Sequence, residues 1–120
     1  MKKTILTSLA LLAFTLSSLA QTPKQVKRAH KYVTKLNAYI TNVNKDLALT
    51  EKQTKAITAA QIQRIIEQDK LKENVADVAK RKELNKPIND KYGKKINKEI
   101  LSKEQFVAFK AGRKKAKANK

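Results

Sequence analysis

The 120-residue chain contains no cysteine and no tryptophan, and it has only two glycines, two prolines and one histidine. Without cysteine it can form neither disulfides nor thiolate metal sites. His30 has no acidic residue near it in sequence to orient it as a general base, and no second histidine with which to hold zinc. No glycine-rich phosphate loop is present. The composition therefore favours a protein that is not an enzyme and that binds no metal or cofactor.

Charge is nearly absent from the first 20 residues, which contain only Lys2 and Lys3 and then an uncharged run from Thr4 to Ala20. The run ends in small residues, an arrangement typical of a secretory signal peptide cleaved after Ala20. An uncleaved membrane anchor is the alternative, but a spanning helix needs about 20 apolar residues. No cysteine follows the run, which excludes a lipoprotein. We expect residues 21–120 to act outside the cytoplasm.

Acidic residues are scarce in residues 21–120, which carry 26 Lys and Arg against 10 Asp and Glu. Positions 21–45 hold six basic residues and no acid, 46–86 hold nine basic and seven acidic, and 87–120 hold eleven basic and three acidic. A surface of one sign attracts oppositely charged partners over long distances. The first helix should carry the candidate basic binding face: Lys24, Lys27, Arg28, Lys31 and Lys35.

Hydrophobic spacing predicts an all-α fold, because apolar residues recur three and four positions apart and no segment alternates with the period of a strand. We predict a first helix from about Gln25 to Asp46. Its apolar seam comprises Val26, Ala29, Val33, Leu36, Ile40, Val43 and Leu47.

A second helix of about 35 residues should begin after Thr50 and be ended or kinked by Pro87. At that length it would be about 50 Å long, which indicates an elongated molecule. A third helix should follow from Pro87 to Ile100, and a short last helix should complete a domain that spans 21–111. We expect 112–120 to form a disordered basic tail, since it contains too few apolar residues to fold.

One five-residue phrase occurs twice, as LTEKQ from Leu49 to Gln53 and as LSKEQ from Leu101 to Gln105. The hydroxyl residue in each suits a helix N-cap, and a glutamine three positions later can reach back to complete a capping box. Leu101 can also pack on Phe106 as a hydrophobic staple. The structural motif residues are Leu49, Thr50, Gln53, Leu101, Ser102 and Gln105.

Two such phrases in an exported, cysteine-free helical chain resemble the LTxxQ motifs of the Spy/CpxP family of periplasmic proteins. The second phrase departs from the motif by having Ser in place of Thr. The segment from Lys94 to Lys115 is similar to the closing segment of that family. The resemblance covers about Leu47 to Lys115.

The resemblance implies a long-helix hairpin with a short C-terminal helix, paired into a curved antiparallel homodimer in the periplasm. It implies ATP-independent chaperoning, in which the protein binds unfolded or misfolded envelope proteins under stress. Some members of the family instead regulate an envelope-stress sensor kinase, and others bind zinc. The lone His30 does not support the zinc-binding role.

The basic residues leave a second functional class open, a binding protein for anionic envelope components such as phospholipid headgroups or acidic glycans. A basic helix that also carries Tyr32 and Tyr39 suits an interfacial role. Nucleic acid would bind so basic a protein without specificity in vitro. Because the chain is expected to be exported, we predict no physiological nucleic-acid partner.

Overall fold

The structure is a computed structural model that describes residues 21–119, and within this range it is all-helical and contains no strand. Four α-helices follow one another: α1 (Pro23–Val43), α2 (Glu51–Asn74), α3 (Val78–Lys94) and α4 (Lys103–Ala118). A 3₁₀ turn (Lys45–Leu47) follows α1, and a π-helical segment (Lys95–Ile100) follows α3. The predicted all-α class is confirmed. The predicted signal peptide and its cleavage after Ala20 lie outside the described residues.

The core is a central cluster to which all four helices and the π-helical segment contribute. Its largest fully buried side chains are Leu36, Ile40, Ile57 and Ile96. A smaller second cluster packs Ala29 of α1 against isoleucines of α2. The predicted seam of α1 is buried from Ala29 to Ile40, whereas Val43, in the last turn of the helix, is 46% exposed.

The molecule is extended and flat, with principal extents of 48 × 37 × 24 Å. Its radius of gyration is 16.0 Å, compared with about 13 Å for a compact domain of 100 residues. The molecule is therefore elongated, although its length does not come from the single helix of about 50 Å that the sequence predicts. The hairpin arrangement and the dimer remain predictions.

The prediction of one helix of about 35 residues after Thr50 is wrong. α2 ends at Asn74, the chain is extended at Val75, and α3 begins at Val78. The break has a local cause, because the Asp77 carboxylate accepts a hydrogen bond from the Ala79 N–H at 3.1 Å and so caps a new helix. We call the three-residue joint 75–77 the elbow.

Pro87 lies inside α3, so the predictions that it ends the second helix and begins a third are wrong, whereas the alternative of a kink stays a prediction. A proline there cannot donate a backbone hydrogen bond to the carbonyl of Glu83. Both Glu83 and Pro87 are exposed, so water can satisfy that carbonyl. The predicted third helix from Pro87 to Ile100 is therefore the second half of α3 followed by the π-helical segment.

The basic segment 112–120 also differs from prediction, because α4 continues through Ala118. Alanine and lysine are strong helix formers, and they supply most of these residues. Gly112 is buried, and a Cβ added there would overlap the backbone of Tyr39. The absence of a side chain at Gly112 thus lets α4 lie directly against α1. The prediction of a basic tail was based on the scarcity of apolar residues and did not consider this contact.

Candidate functional site

Both repeated phrases form capping boxes, as predicted. Before α2, the Gln53 N–H donates to the Thr50 hydroxyl at 3.0 Å, and Gln53 Oε1 accepts from the Thr50 N–H at 3.0 Å. Before α4, the Gln105 N–H donates to the Ser102 hydroxyl at 3.1 Å, and Gln105 Oε1 accepts from the Ser102 N–H at 2.9 Å. Each box pairs backbone donors that the start of a helix would otherwise leave free.

The fold also brings the two boxes into contact with each other. Gln53 Nε2 donates to Gln105 Oε1 at 2.7 Å, and Gln105 Nε2 donates to Gln53 Oε1 at 3.0 Å. The second N–H of Gln53 Nε2 donates to the Ile100 carbonyl at 3.0 Å, and the second N–H of Gln105 Nε2 donates to the Leu47 carbonyl at 3.1 Å. We call the paired segments, 47–53 and 100–105, the motif corner.

Every hydrogen-bonding position of these two amides is used. Each Oε1 accepts two bonds, and each Nε2 donates two. A glutamate can close a capping box equally well, but it has no N–H with which to make the remaining contacts. The pairing therefore accounts for glutamine, rather than glutamate, at Gln53 and Gln105.

The leucines of the two phrases join this corner to the core. Leu101 is 5% exposed and belongs to the central cluster, and Phe106 packs against the same cluster. Leu49 lies partly buried at its edge, and its N–H donates to the Asn37 side-chain carbonyl at 2.9 Å. All six motif residues thus act in holding the fold.

Sequence reasoning missed a third capping box, at the start of α1. Gln25 Oε1 accepts from the Thr22 N–H at 2.9 Å, and the Gln25 N–H donates to the Thr22 hydroxyl at 3.2 Å. Gln25 Nε2 then donates to Asp69 of α2 at 3.0 Å. The signal was visible, because Thr22 and Gln25 have the spacing of the other two boxes but lack the preceding leucine.

Four of the five residues in the predicted basic face have exposed side chains on α1 without an ion-pair partner among the described residues. They are Lys24, Lys27, Lys31 and Lys35. Arg28 differs, because its guanidinium lies 3.3 Å from the Asp69 carboxylate of α2. Burial raises the pKa of Asp69, but hydrogen bonds from Gln25 and Arg28 outweigh this effect and leave that pKa below its ordinary value.

A second carboxylate is partly covered at the contact between α2 and α3. Lys91 Nζ lies 3.1 Å from Glu67 Oε1, and it also lies 4.7 Å from the centroid of the Tyr92 ring. Burial raises the pKa of Tyr92 well above its ordinary value, and the neighbouring Glu67 carboxylate raises it further. Tyr92 is therefore neutral at physiological pH, and its ring packs in the central cluster.

An open apolar groove runs between the end of α1 and the first half of α4. Its apolar lining includes Val43, Leu47, Val107 and Ala111, and the charged residues that line it are Lys103 and Glu104. Val107 is 62% exposed and Val43 is 46% exposed. We call this surface the apolar groove. It presents branched aliphatic side chains to solvent in a strongly cationic chain.

Two other properties concern only residues 21–119. In that range no helix is both long enough and apolar enough to span a bilayer. The same residues contain no group of three or more His, Asp or Glu side chains placed to share a metal ion.

Comparisons with protein-family models, curated protein sequences and solved structures give no match to this chain.

Proposed function

We propose that this protein is an ATP-independent, chaperone-like protein that binds unfolded or misfolded envelope proteins under stress. The observation that carries the proposal is the apolar groove in a chain whose residues 21–120 hold 26 basic against 10 acidic side chains. Long-range attraction would bring acidic unfolded chains to the surface, and the groove would then contact their apolar side chains.

The same combination suits release without nucleotide. Contacts between exposed charges are screened by salt and are individually weak. A client that buries its apolar residues as it folds would lose its contacts with the groove and leave. This scheme needs no phosphate loop, in keeping with the composition.

Export and assembly belong to the same proposal. We propose a periplasmic protein whose signal peptide is cleaved after Ala20 and whose mature chains pair as homodimers. The flat shape of the molecule, which is 24 Å in its smallest dimension, supports pairing, since a second copy could cover more of its apolar surface. Sedimentation of residues 21–120 tests the proposed dimer directly, because a monomer at every concentration would contradict it.

The test of function is an aggregation assay. Residues 21–120 are added at increasing ratios to a chemically unfolded client without nucleotide, at low and at high salt. We expect suppression near stoichiometric ratios that weakens as salt is raised. Absence of suppression at every ratio would overturn the proposal.

Matched serine variants locate the surface. Val107→Ser removes an aliphatic side chain from the apolar groove, and Val78→Ser makes the same change elsewhere, on a residue that is 71% exposed against 62% for Val107. We expect Val107→Ser to weaken suppression and Val78→Ser to retain it. Equal behaviour of the two variants would show that the groove is not the client-contacting surface.

A second candidate function rests on Lys24, Lys27 and Lys31, which are exposed on a helix that contains no acidic residue. Such a face suits anionic envelope components, including phospholipid headgroups. It predicts co-sedimentation with anionic but not with neutral vesicles. The regulatory role implied by the resemblance would require neither activity, and binding to the periplasmic domain of a stress-sensor kinase would test it.

A further inference from the structure

A separate concave pocket of about 300 Å³ lies where α1, α2 and α4 meet. Three of its side chains are cationic, and they come from three different helices: Lys35, Arg64 and Arg113. The other main walls are the rings of Tyr32, Tyr39 and Phe109. None of the described residues that line it is acidic. We call it the arginine pocket.

Arg64 is held in place by neutral partners. Its Nε donates to the Asn89 side-chain carbonyl of α3 at 2.9 Å, and its Nη1 lies 3.5 Å from the Gln61 side-chain carbonyl. Gln68 Nε2 also donates to the Asn89 oxygen at 2.9 Å and so fixes it. Arg64 is only partly exposed, and amide oxygens cannot neutralise its charge.

The other two cations lie over aromatic rings. The Arg113 guanidinium carbon is 5.2 Å from the centroid of the Phe109 ring, and Lys35 Nζ is 6.0 Å from that of Tyr39. Within residues 21–119, neither of these side chains nor Arg64 forms an ion pair with a carboxylate. The pocket thus gathers three positive charges without an anion to balance them.

Tyr32 completes the set of polar groups. It lines the pocket together with Arg64 and Arg113, and burial raises the pKa of the Tyr32 hydroxyl despite these neighbouring guanidinium groups. The hydroxyl therefore keeps its proton at neutral pH and can donate it. All the charged groups of the pocket are donors, a composition that matches an oxyanion and repels a cation.

We propose that the arginine pocket binds a small phosphate monoester whose organic part is apolar or aromatic. A phosphate monoester carries close to two negative charges above its second pKa of about 6, and it suits three cations better than a carboxylate does. Planar guanidinium groups pair with phosphate oxygens in a two-pronged geometry. The three rings would contact the organic part, and the volume limits the ligand to a small molecule.

This proposal goes beyond the chaperone proposal and does not depend on it. The experiment is isothermal titration calorimetry of residues 21–120 with phenyl phosphate, inorganic phosphate and chloride at matched ionic strength. We expect saturable binding of phenyl phosphate, weaker binding of inorganic phosphate and no saturable binding of chloride. If all three anions behave alike, the positive charge acts only as a diffuse field and the proposal is overturned.

Matched variants separate the pocket from the overall charge of the protein. Arg64→Gln removes one positive charge from the pocket, and Lys52→Gln removes one from an exposed position on the same helix. We expect Arg64→Gln to weaken phenyl phosphate binding by about tenfold or more, and Lys52→Gln by less than about twofold. Equal weakening by both variants contradicts a specific pocket.

Circular dichroism establishes that each variant is folded. If Arg64→Gln is not, Arg113→Gln takes its place, because Arg113 is exposed and its removal disturbs less packing. Vesicles of phosphatidylcholine with and without phosphatidic acid then identify the source of the ester. If phenyl phosphate displaces the protein from the vesicles that contain phosphatidic acid, the pocket binds a lipid headgroup. If the protein stays on these vesicles in the presence of phenyl phosphate, it binds them elsewhere, and the pocket is assigned to a free ester.

Discussion

The motif corner and the elbow both redirect the chain between helices, but they are built differently. In the motif corner, Gln53 and Gln105 cap their own helices and bond to each other across the fold, above the buried Leu101. In the elbow, Asp77 caps α3 through a contact two residues away, and Val78 beyond it is 71% exposed. A cap that also makes long-range contacts joins elements, whereas a local cap only starts a helix.

The comparison predicts that the two regions differ in stability. Segments with few buried apolar contacts open at lower free-energy cost than segments tied into the core. We therefore expect backbone amides near the elbow to exchange their hydrogens before those near the motif corner. The exposed side chains of α3 belong to the region that opens first.

The largest expected effect is that of Leu101→Ala. Leu101 is 5% exposed in the central cluster, and removing a buried leucine side chain typically costs about 2–5 kcal/mol of unfolding free energy. Leu84→Ala is the control, because Leu84 follows the elbow and is 41% exposed. Urea unfolding should show a much larger loss for Leu101→Ala. Equal losses would contradict the difference between the two regions.

Leu49→Ala should give a smaller loss than Leu101→Ala, since Leu49 is only partly buried. Both variants should lower helix content and melting temperature, and they should have less effect on which unfolded proteins are bound in the aggregation assay. A variant that abolishes activity and leaves stability unchanged would show that the phrases contact clients directly.

The two glycines should respond to alanine in opposite directions. A Cβ at Gly112 would overlap the Tyr39 backbone, and overpacking of this kind costs about 1–3 kcal/mol. Gly93 has no atom within 4 Å of an added Cβ, so alanine there should stabilise α3 by about 0.5–1 kcal/mol. Melting curves of the two variants test this. Stabilisation by Gly112→Ala would contradict the close contact between α1 and α4.

The smallest expected effect concerns pH at the third capping box. The folded-state pKa of Asp69 lies below its ordinary value of 3.8. Asp69 thus contributes stability above the unfolded-state pKa, and this contribution is lost as pH falls through the lower folded-state value. Because the side chains of Asp69 and Arg28 are both partly exposed, we expect this contribution to the free energy of unfolding to be under about 1 kcal/mol.

The measurement compares unfolding of the parent chain and Asp69→Asn from about pH 6 down to about pH 2. The parent should be the more stable at the upper end, and the difference should shrink with acid. A difference that is constant across the range would show that the negative charge of Asp69, next to Gln25 and Arg28, contributes nothing to stability.

Local signals in the sequence predicted correctly the helical class and the capping boxes of the two repeated phrases. The seam of α1 follows from three- and four-residue spacing, and Thr50 and Ser102 follow from their distance to a glutamine. The elbow was misread because apolar spacing continued across it from Leu71 to Val75 and Val78. Asp77 is a residue type that favours N-cap positions, and the break lies there and not at Pro87.

The pairing of Gln53 with Gln105 could not be predicted from local pattern. The two residues are 52 positions apart, and nothing near either one indicates which distant group it meets. The arginine pocket is likewise non-local, because Lys35, Arg64 and Arg113 come from three helices. The sequence shows which residues are cationic, but only the packing of the helices brings these three together without an acid.

The most direct test of the central claim, that the repeated phrases are two halves of one structural corner, is the stability of Gln105→Glu at neutral pH. Glutamate retains the capping box but cannot donate to Leu47 and Gln53, as Gln105 does. The structure predicts a loss of about 1–3 kcal/mol in the free energy of unfolding. A value within about 0.5 kcal/mol of the parent would mean that each phrase only caps its own helix.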